Sequence, residues 1–373
     1  MKLTKQQKKQ ITSIRKFLCS SDGEARIQGY ELLKSLQDKD IAEVFVEGVS
    51  IDEEGQIEIT KEAARKSHLK NKKTQKVNAF FVLDAAGRLE NVTTLKLSDL
   101  LLKDLSPLSD WMTTLKTLKL IRFKSLSGLS RLKGLENLVS LMIEWCMDLR
   151  DLSGLEGLEN LGFLKIYQCY RLSDLEALSG LKNLREFEFN LGGPLSDLSP
   201  LSGLESLTRI SIASGSLSDL SPLKGLSNLT ELGISSNSLS DLSPLKDLEN
   251  LTKLSISSNS LSDLSPLWDL KNLTNLYLRI SVSALTSLST LSSSTTLTNL
   301  TLNSCASLST LSGVEGLSNL TSLEIISCAS LSTLSGLERQ EKLAELRILN
   351  CASLSDLSPL SGLENLTLIH KEL

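Results

Sequence analysis

The sequence predicts an α/β solenoid, a right-handed stack of about 13 coils with a parallel β-sheet on its concave side. Its convex side is expected to be 3₁₀ or very short helix, and an α-helical cap covers the N-terminal end. Three observations predict this. A leucine-rich period of mostly 22 or 23 residues runs from Leu89 to the last residue. Apolar residues make up 40% of the chain but aromatics only 4%, so leucine carries the core. The segments between successive leucine pairs leave room for barely one helical turn.

The first 76 residues form a separate helical region with a small hairpin and a basic linker, and residues 77–373 form the solenoid. Thr4-Lys-Gln-Gln7 is a capping box, followed by Ile11, Ile14 and Leu18 on one helical face. Ser21-Asp-Gly-Glu24 is a second box, followed by the stripe Ile27, Tyr30, Leu33 and Leu36. Ile41, Val44 and Phe45 mark a third short helix, which Gly48 can terminate. Alternation from Ile51 to Ile59 around Gly55 reads as a hairpin. Residues 61–76 are basic, with Arg65, Lys66, Lys70, Lys72 and Lys73. A localisation or phosphate-binding patch would look like this. So would a solvated helix running into a polar loop, which the nearby acids and the lack of interleaved aromatics favour.

Beyond that region the strands are counted by their apolar pairs. They fall at Leu95-Leu97, Leu118-Leu120, Leu141-Ile143, Leu164-Ile166, Phe187-Phe189, Ile210-Ile212 and Leu232-Ile234. Leu254-Ile256, Leu276-Leu278, Leu300-Leu302, Leu323-Ile325 and Leu346-Ile348 follow, with a degenerate last turn near Ile369. One coil cannot bury its own apolar face, and stacking makes a continuous core. The return segment Asp-Leu-Ser-Pro-Leu recurs at Pro107, Pro200, Pro222, Pro244, Pro266 and Pro359. Proline suits the start of a short helical turn. A decamer beginning at Ser304 repeats word for word at Ser327. Between Leu278 and Leu300 the usual Pro and Gly-Leu are missing, which predicts a looser coil.

Five of the six cysteines, Cys146, Cys169, Cys305, Cys328 and Cys351, sit five residues after the first leucine of a pair. Asn237 and Asn259 hold this position elsewhere. The reading is a ladder of buried, reduced, metal-free thiols, because a tetrahedral metal site needs converging ligands and not a row. Cys19 is expected between the N-terminal helices.

The turn Leu226-Ser-Asn228-Leu229-Thr-Glu-Leu232-Gly-Ile234-Ser-Ser-Asn237-Ser-Leu239-Ser-Asp241-Leu242-Ser-Pro244-Leu245 carries the leucine-rich-repeat signature. It resembles the internalin-type repeat of bacterial cell-surface proteins, and the likeness covers roughly residues 89–373. Internalins are exported adhesins with a signal sequence and an Ig-like module, neither of which is visible here. The resemblance implies a binding mode on the concave sheet and names no partner. A similar short repeat occurs in intracellular phosphatase-regulating proteins.

The formal net charge of −4 gives no pointer to nucleic acid or an anionic membrane. The polar start has no apolar stretch of signal-peptide type, and no run is long enough to span a bilayer. The expected location is therefore cytoplasmic, and the ending His370-Lys371-Glu372-Leu373 has no retrieval role without an entry signal. His68 and His370 are the only histidines, so no nucleophile–base–acid set can be assembled, and no Gly-rich phosphate loop is present. No cofactor or metal is expected. The Asn-Leu-Thr triplets at Asn228, Asn250, Asn272, Asn319 and Asn365 are repeat grammar.

What remains is a bacterial, non-enzymatic scaffold that binds another protein on the concave face. The alternative is an adhesin or effector exported without a classical signal. Outward-facing strand positions carry the candidate contacts: Lys119, Met142, Glu144, Phe163, Lys165, Tyr167, Glu186 and Glu188, with Trp145 and Gln168 directly after their strands. The expected arrangement is a centre of Trp145, Phe163 and Tyr167 inside a charged rim. Tyr277 and Arg279 form a second, smaller cluster, while the middle coils present only small residues such as Gly233, Ser235 and Ser257. Partner identity, pathway and oligomeric state are not legible in the sequence.

Overall fold

The computed structural model describes residues 3–18, 20, 23–36, 38–46, 49–51, 53, 57–59, 91–98, 105, 113–281 and 285–372. It divides into two compact units, Met1–Leu181 and Lys182–Leu373. The basic stretch 61–76, Cys19, Phe80, Phe81, Pro107 and the expected boundary at 76/77 lie outside the described residues.

The first unit opens with helices α1 (Lys5–Leu18), α2 (Gly23–Ser35) and α3 (Lys39–Val46). The capping box forms as the sequence predicts. The Thr4 amide donates to Gln7 Oε1 at 2.8 Å, and the Gln7 amide donates to Thr4 Oγ1 at 3.1 Å. Asp38 starts α3 by accepting the Ile41 amide, and its second oxygen accepts Gln7 Nε2 at 3.0 Å. Ile11, Ile14 and Leu18 are buried, as are Tyr30, Leu33, Ile41 and Phe45. β1 (Val49–Ile51) and β2 (Ile57–Ile59) pair antiparallel as the predicted hairpin.

Four parallel strands complete this unit: β3 (Thr94–Ser98), β4 (Thr117–Ile121), β5 (Ser140–Glu144) and β6 (Phe163–Tyr167). The second unit contributes nine: β7 (Glu186–Asn190), β8 (Arg209–Ala213), β9 (Glu231–Ser235), β10 (Lys253–Ser258), β11 (Asn275–Ile280), β12 (Asn299–Asn303), β13 (Ser322–Ile326), β14 (Glu345–Leu349) and β15 (Thr367–Glu372). Most strands bury their second and fourth residues and leave the others toward solvent, the period-two pattern of a sheet with one wet face. The leucine pairs pack with essentially no exposure.

Side-chain ladders bind coil to coil. Asn137, Asn160, Asn228, Asn250, Asn272 and Asn319 each donate Nδ2 to a backbone carbonyl of the preceding coil at 2.7–2.9 Å. Thr230, Thr252, Thr274 and Thr298 do the same through Oγ1. The recurring Asn-Leu-Thr is thus a structural element: its Thr hydroxyl adds a bond to a carbonyl that already accepts backbone amides of the next coil, and its Asn reaches a second carbonyl.

The return segments follow two local grammars. In Asp-Leu-Ser-Pro-Leu, the Pro-containing turns at Ser199–Leu201, Ser221–Leu223, Ser243–Leu245, Ser265–Asp269 and Ser358–Leu360 are 3₁₀ helices. The preceding aspartates cap them: Asp219 Oδ1 accepts the Ser221 amide at 2.8 Å. The Ser221 hydroxyl and amide hold the Asp219 carboxyl below its usual range, and Ser358 acts likewise on Asp356. In the other grammar a glycine takes positive φ and a glutamate reaches back to it. Glu156, Glu315 and Glu338 accept the amides of Gly154, Gly313 and Gly336 at 2.6–2.7 Å. The divergent segment before Leu300 keeps a 3₁₀ turn at Ser289–Leu291, but Thr290 Oγ1 and Ser294 Oγ are buried there without a partner. Unpaired buried hydroxyls weaken a site, which agrees in kind with the looser coil expected.

The difference between 22 and 23 residues has a physical meaning. Arg122, Trp145, Gln168, Leu191, Ser304, Ser327 and Asn350 all adopt left-handed φ between 53° and 60°. Each directly follows its strand in a longer coil. In six of the seven the extra residue turns the chain so that the next one, a cysteine or Phe123, points inward with 0–1% exposure; after Leu191 the next residue is Gly192. The 22-residue coils lack this residue, and their slot is filled differently. Ser214, Ser236 and Ser258 are buried and donate Oγ to the carbonyls of Leu195, Leu217 and Leu239 at 2.5–2.7 Å. Asn237 and Asn259 therefore do not share the cysteine slot. They lie one residue further out, where Asn259 Nδ2 donates to Asn237 Oδ1 at 2.9 Å.

The terminal coil of a solenoid exposes an apolar end unless something covers it. Deleting residues 1–76 is expected to cause aggregation or loss of folding. A truncated chain that stays soluble and melts cooperatively would make the helical region an independent module.

Candidate functional site

On the sheet of the first unit, strand register sorts the outward residues into rows. Lys96, Lys119, Met142 and Lys165 lie opposite one another on β3, β4, β5 and β6. Ser98, Ile121, Glu144 and Tyr167 form the next row toward the strand ends. Beyond them stand the left-handed residues Arg122, Trp145 and Gln168. Their amides are fixed to the neighbouring strand: Arg122 donates to the Glu144 carbonyl at 2.8 Å and Trp145 to the Tyr167 carbonyl at 3.0 Å.

This arrangement brings Trp145, Tyr167 and Gln168 together at one edge of the sheet. A non-glycine residue in the left-handed region is strained, and such strain persists only where the surroundings enforce it. Here it presents an indole, half-exposed, beside a tyrosine. The ring partner of Trp145 is Tyr170, edge-on at 84° with centroids 6.4 Å apart. Tyr170 is 47% exposed and was missed in the sequence reading. It stands one residue after the Cys169 slot. The recurring left-handed residue before each slot was the needed signal, and it is visible only as the one-residue excess of the longer coils.

Two expected members stand elsewhere. Phe163 opens β6 opposite Ser140, four residues before Tyr167, or about 13 Å along the strand. It therefore flanks the lysine row from the other side and does not join Trp145. Glu186 and Glu188 belong to the second unit, and Glu188 is only 7% exposed. A carboxylate buried to that degree cannot serve as a solvent-facing rim charge, so the expected role of Glu188 is corrected. β7 buries all three of its central residues, Phe187, Glu188 and Phe189.

The second unit has its own surface. Glu186, Arg209, Glu231, Lys253 and Asn275 form one row across β7 to β11. Its charges alternate, with Glu231 accepting Lys253 at 2.7 Å and facing Arg209 at 3.7 Å. Beside it, Ser211, Gly233 and Ser255 make the floor of a depression of about 390 Å³ that continues past Tyr277 to Thr301. The Tyr277 hydroxyl accepts Asn303 Nδ2 at 3.0 Å, and Arg279 is exposed on the next row. The small residues that looked featureless in the sequence thus create a hollow between taller neighbours.

The five repeat cysteines, Cys146, Cys169, Cys305, Cys328 and Cys351, are buried and form no disulfide, as expected. Each Sγ lies 3.7–4.0 Å from the carbonyl of the preceding strand's second apolar residue, and each thiol donates toward it. Thiol–thiol hydrogen bonding sets their protonation. The bond to Cys169, together with burial, pushes the Cys146 thiol far up, and Cys169 is lowered in return. Cys328 is pushed up to about 12 by its bond with Cys305. Among the described residues, no cluster of His, Cys, Asp or Glu could hold a metal ion. Among them too, no helix is long and apolar enough to cross a membrane.

The family model for leucine-rich repeats in two copies matches residues 227–266, the coils of β9 and β10. The chain has the fold of a leucine-rich-repeat solenoid. An internalin (InlF) from Listeria monocytogenes is similar over 77% of this chain and 89% of its own, at 22% identity and a TM-score of 0.53. TLR13, solved as a complex with ssRNA13, aligns over 77% of this chain and 51% of its own, at 20% identity and a TM-score of 0.54. These likenesses concern the fold of the leucine-rich-repeat protein. A search of curated proteins gives no significant match. Such folds commonly present their sheet as a protein-binding surface.

Proposed function

We propose that this leucine-rich-repeat protein is a non-enzymatic, cytoplasmic bacterial scaffold that binds a partner protein on the concave sheet face of its first unit. The single observation behind this is the aromatic edge. Trp145 is held in a strained backbone conformation and meets the exposed Tyr170 edge-on, beside Tyr167. An exposed aromatic cluster next to charged residues is the usual anatomy of a binding hot spot. Nothing in the packing of the leucine core needs an indole at this position. Lys119, Met142, Glu144, Lys165 and Gln168 supply the surrounding polar and flexible contacts.

The test is capture of the partner by the immobilised full-length chain, followed by titration. Tyr167→Ala is expected to cost about 2 kcal/mol of affinity, the size typical of a central aromatic. Ser235→Ala and Ser257→Ala are the matched controls and should change nothing. Gly233→Leu tests the hollow of the second unit. Its Cβ position is clear of backbone, the nearest neighbour being Ser211 Oγ at 3.5 Å, so the variant fills the space without breaking the fold. Loss of binding in Gly233→Leu with full binding in Tyr167→Ala would move the site to the second unit. Fractionation of native cells decides between a cytoplasmic scaffold and an exported adhesin or effector.

A further inference from the structure

We infer that the hollow of the second unit binds a neutral oligosaccharide, laid across the strands from β8 to β12. The inference goes beyond the proposed protein-docking face and uses none of its residues. The inner row of the hollow runs Ser211, Gly233, Ser255, Tyr277 and Thr301 in register on those strands. The charged row beside it ends in two amides, Asn275 and Asn299. Four strand spacings of about 4.8 Å make a trough roughly 19 Å long. Its volume of about 390 Å³ lies in the range of ligand clefts. An extended chain of pyranose rings advances about one ring per strand spacing, so about four rings fit.

The charges along this trough are paired, and its free hydrogen-bonding groups are neutral. Glu231 accepts Lys253 Nζ at 2.7 Å and faces Arg209 at 3.7 Å, so the charged row is compensated internally. Asn275 and Asn299 stand opposite each other. One end of each amide meets the preceding threonine: Oδ1 lies 2.8 Å from Thr274 Oγ1 in one and 2.7 Å from Thr298 Oγ1 in the other. Among the described residues, the other end of each amide and the hydroxyls of Ser211, Ser255 and Thr301 have no protein partner. Hydroxyls both donate and accept, and an amide does one at each end, so this lining matches the mixed donors and acceptors of sugar hydroxyls.

Tyr277 supplies an apolar platform. It stands between Ser255 and Thr301 in the inner row, and its hydroxyl accepts Asn303 Nδ2 at 3.0 Å, which fixes the ring before a ligand arrives. The C–H face of a pyranose packs on such a ring while its hydroxyls reach sideways to the amides. At Gly233 no side chain rises from the floor, so a ring can approach the sheet closely. An extended peptide fits this spacing less well. Its same-side groups recur about every 6.8 Å, twice the strand rise, out of step with amides one strand spacing apart.

The experiment is a screen of the full-length chain against arrayed neutral, uronate-containing and sulfated oligosaccharides, followed by calorimetric titration of those that bind. Binding is expected among the neutral chains, rising with length up to about four rings. Added salt should leave it unchanged, because no charge is neutralised. Gly233→Leu and Tyr277→Ala should each weaken it by at least about tenfold, while Tyr277→Phe keeps the platform and should lose less. Ser235→Ala and Tyr167→Ala, both outside the hollow, should leave it unchanged. Should Gly233→Leu unfold the chain, the comparison of Tyr277→Ala with Tyr277→Phe still decides. No bound oligosaccharide, a preference for acidic chains, or sugar binding indifferent to Tyr277→Ala would overturn the inference. So would loss of partner capture in Gly233→Leu on a chain that binds no sugar, which would make the hollow a protein site. The docking face of the first unit is read separately, by partner titration of Tyr167→Ala, and stands or falls on that result.

Discussion

Gly154→Ala and Gly313→Ala are expected to destabilise the protein by about 3 kcal/mol each, combining backbone strain with steric overlap. Both glycines have φ near +108°, a region that costs an L residue about 1–2 kcal/mol. A Cβ at Gly154 would also stand 2.3 Å from the Leu129 carbonyl oxygen, and one at Gly313 would stand 2.1 Å from that of Leu288. These are backbone atoms of the preceding coil, so neither can swing aside. The graded controls separate the two causes. Gly134 has φ +96° but open space, so Gly134→Ala should show the strain alone, about 1 kcal/mol. Gly180 has neither problem, and Gly180→Ala should be neutral or slightly stabilising. Denaturant melts of the four variants measure the series. Equal behaviour of Gly154→Ala and Gly180→Ala would mean that the coil contact is not as tight as described.

This series also explains the repeated decamer. The glycines that end the two copies, Gly313 and Gly336, both need positive φ and both receive a glutamate cap. Identity between the copies follows at least partly from that shared geometry.

Much of the fold could be read from the sequence because period and composition report directly on packing. The leucine pairs mark every repeat strand that follows Leu95, the Pro-containing returns become 3₁₀ turns, and Thr4 and Gln7 form their reciprocal cap. The slot that Asn237 was expected to share with Cys146 was misread for a definite reason. Counting from the first leucine ignores the left-handed residue that only the longer coils contain, so the same offset lands on different sides of the turn. Ser236 fills the slot instead, and its hydroxyl donates to the Leu217 carbonyl of the preceding coil.

The site was less legible than the fold. Alternation along β5 and β6 correctly turned Met142, Glu144, Lys165 and Tyr167 toward solvent. It could not show that Phe163 and Tyr167 stand at opposite ends of one strand face, nor that Tyr170 reaches back to Trp145. The burial of Glu188 was not foreseen because period two describes a sheet with one wet face, and β7 departs from it. The hollow above Gly233 depends on the height of its neighbours, which no single position encodes.

Trp145→Gly separates function from stability at the centre of the site. With φ at 57°, residue 145 is in a conformation that glycine adopts without strain. Relief of that strain, about 1 kcal/mol, offsets the lost edge-on contact with Tyr170, which is of similar size. The melting temperature should therefore stay the same or rise slightly. If Trp145 anchors the partner, the same change should cost about 2 kcal/mol of binding, or about 30-fold in Kd. The decisive measurement is the pair of values, melting temperature and partner Kd, on the full-length Trp145→Gly chain. An unchanged or higher melting temperature with about 30-fold weaker binding is the predicted result. A clear fall in melting temperature, or a Kd equal to that of the parent chain, would contradict the assignment of this edge as the binding site.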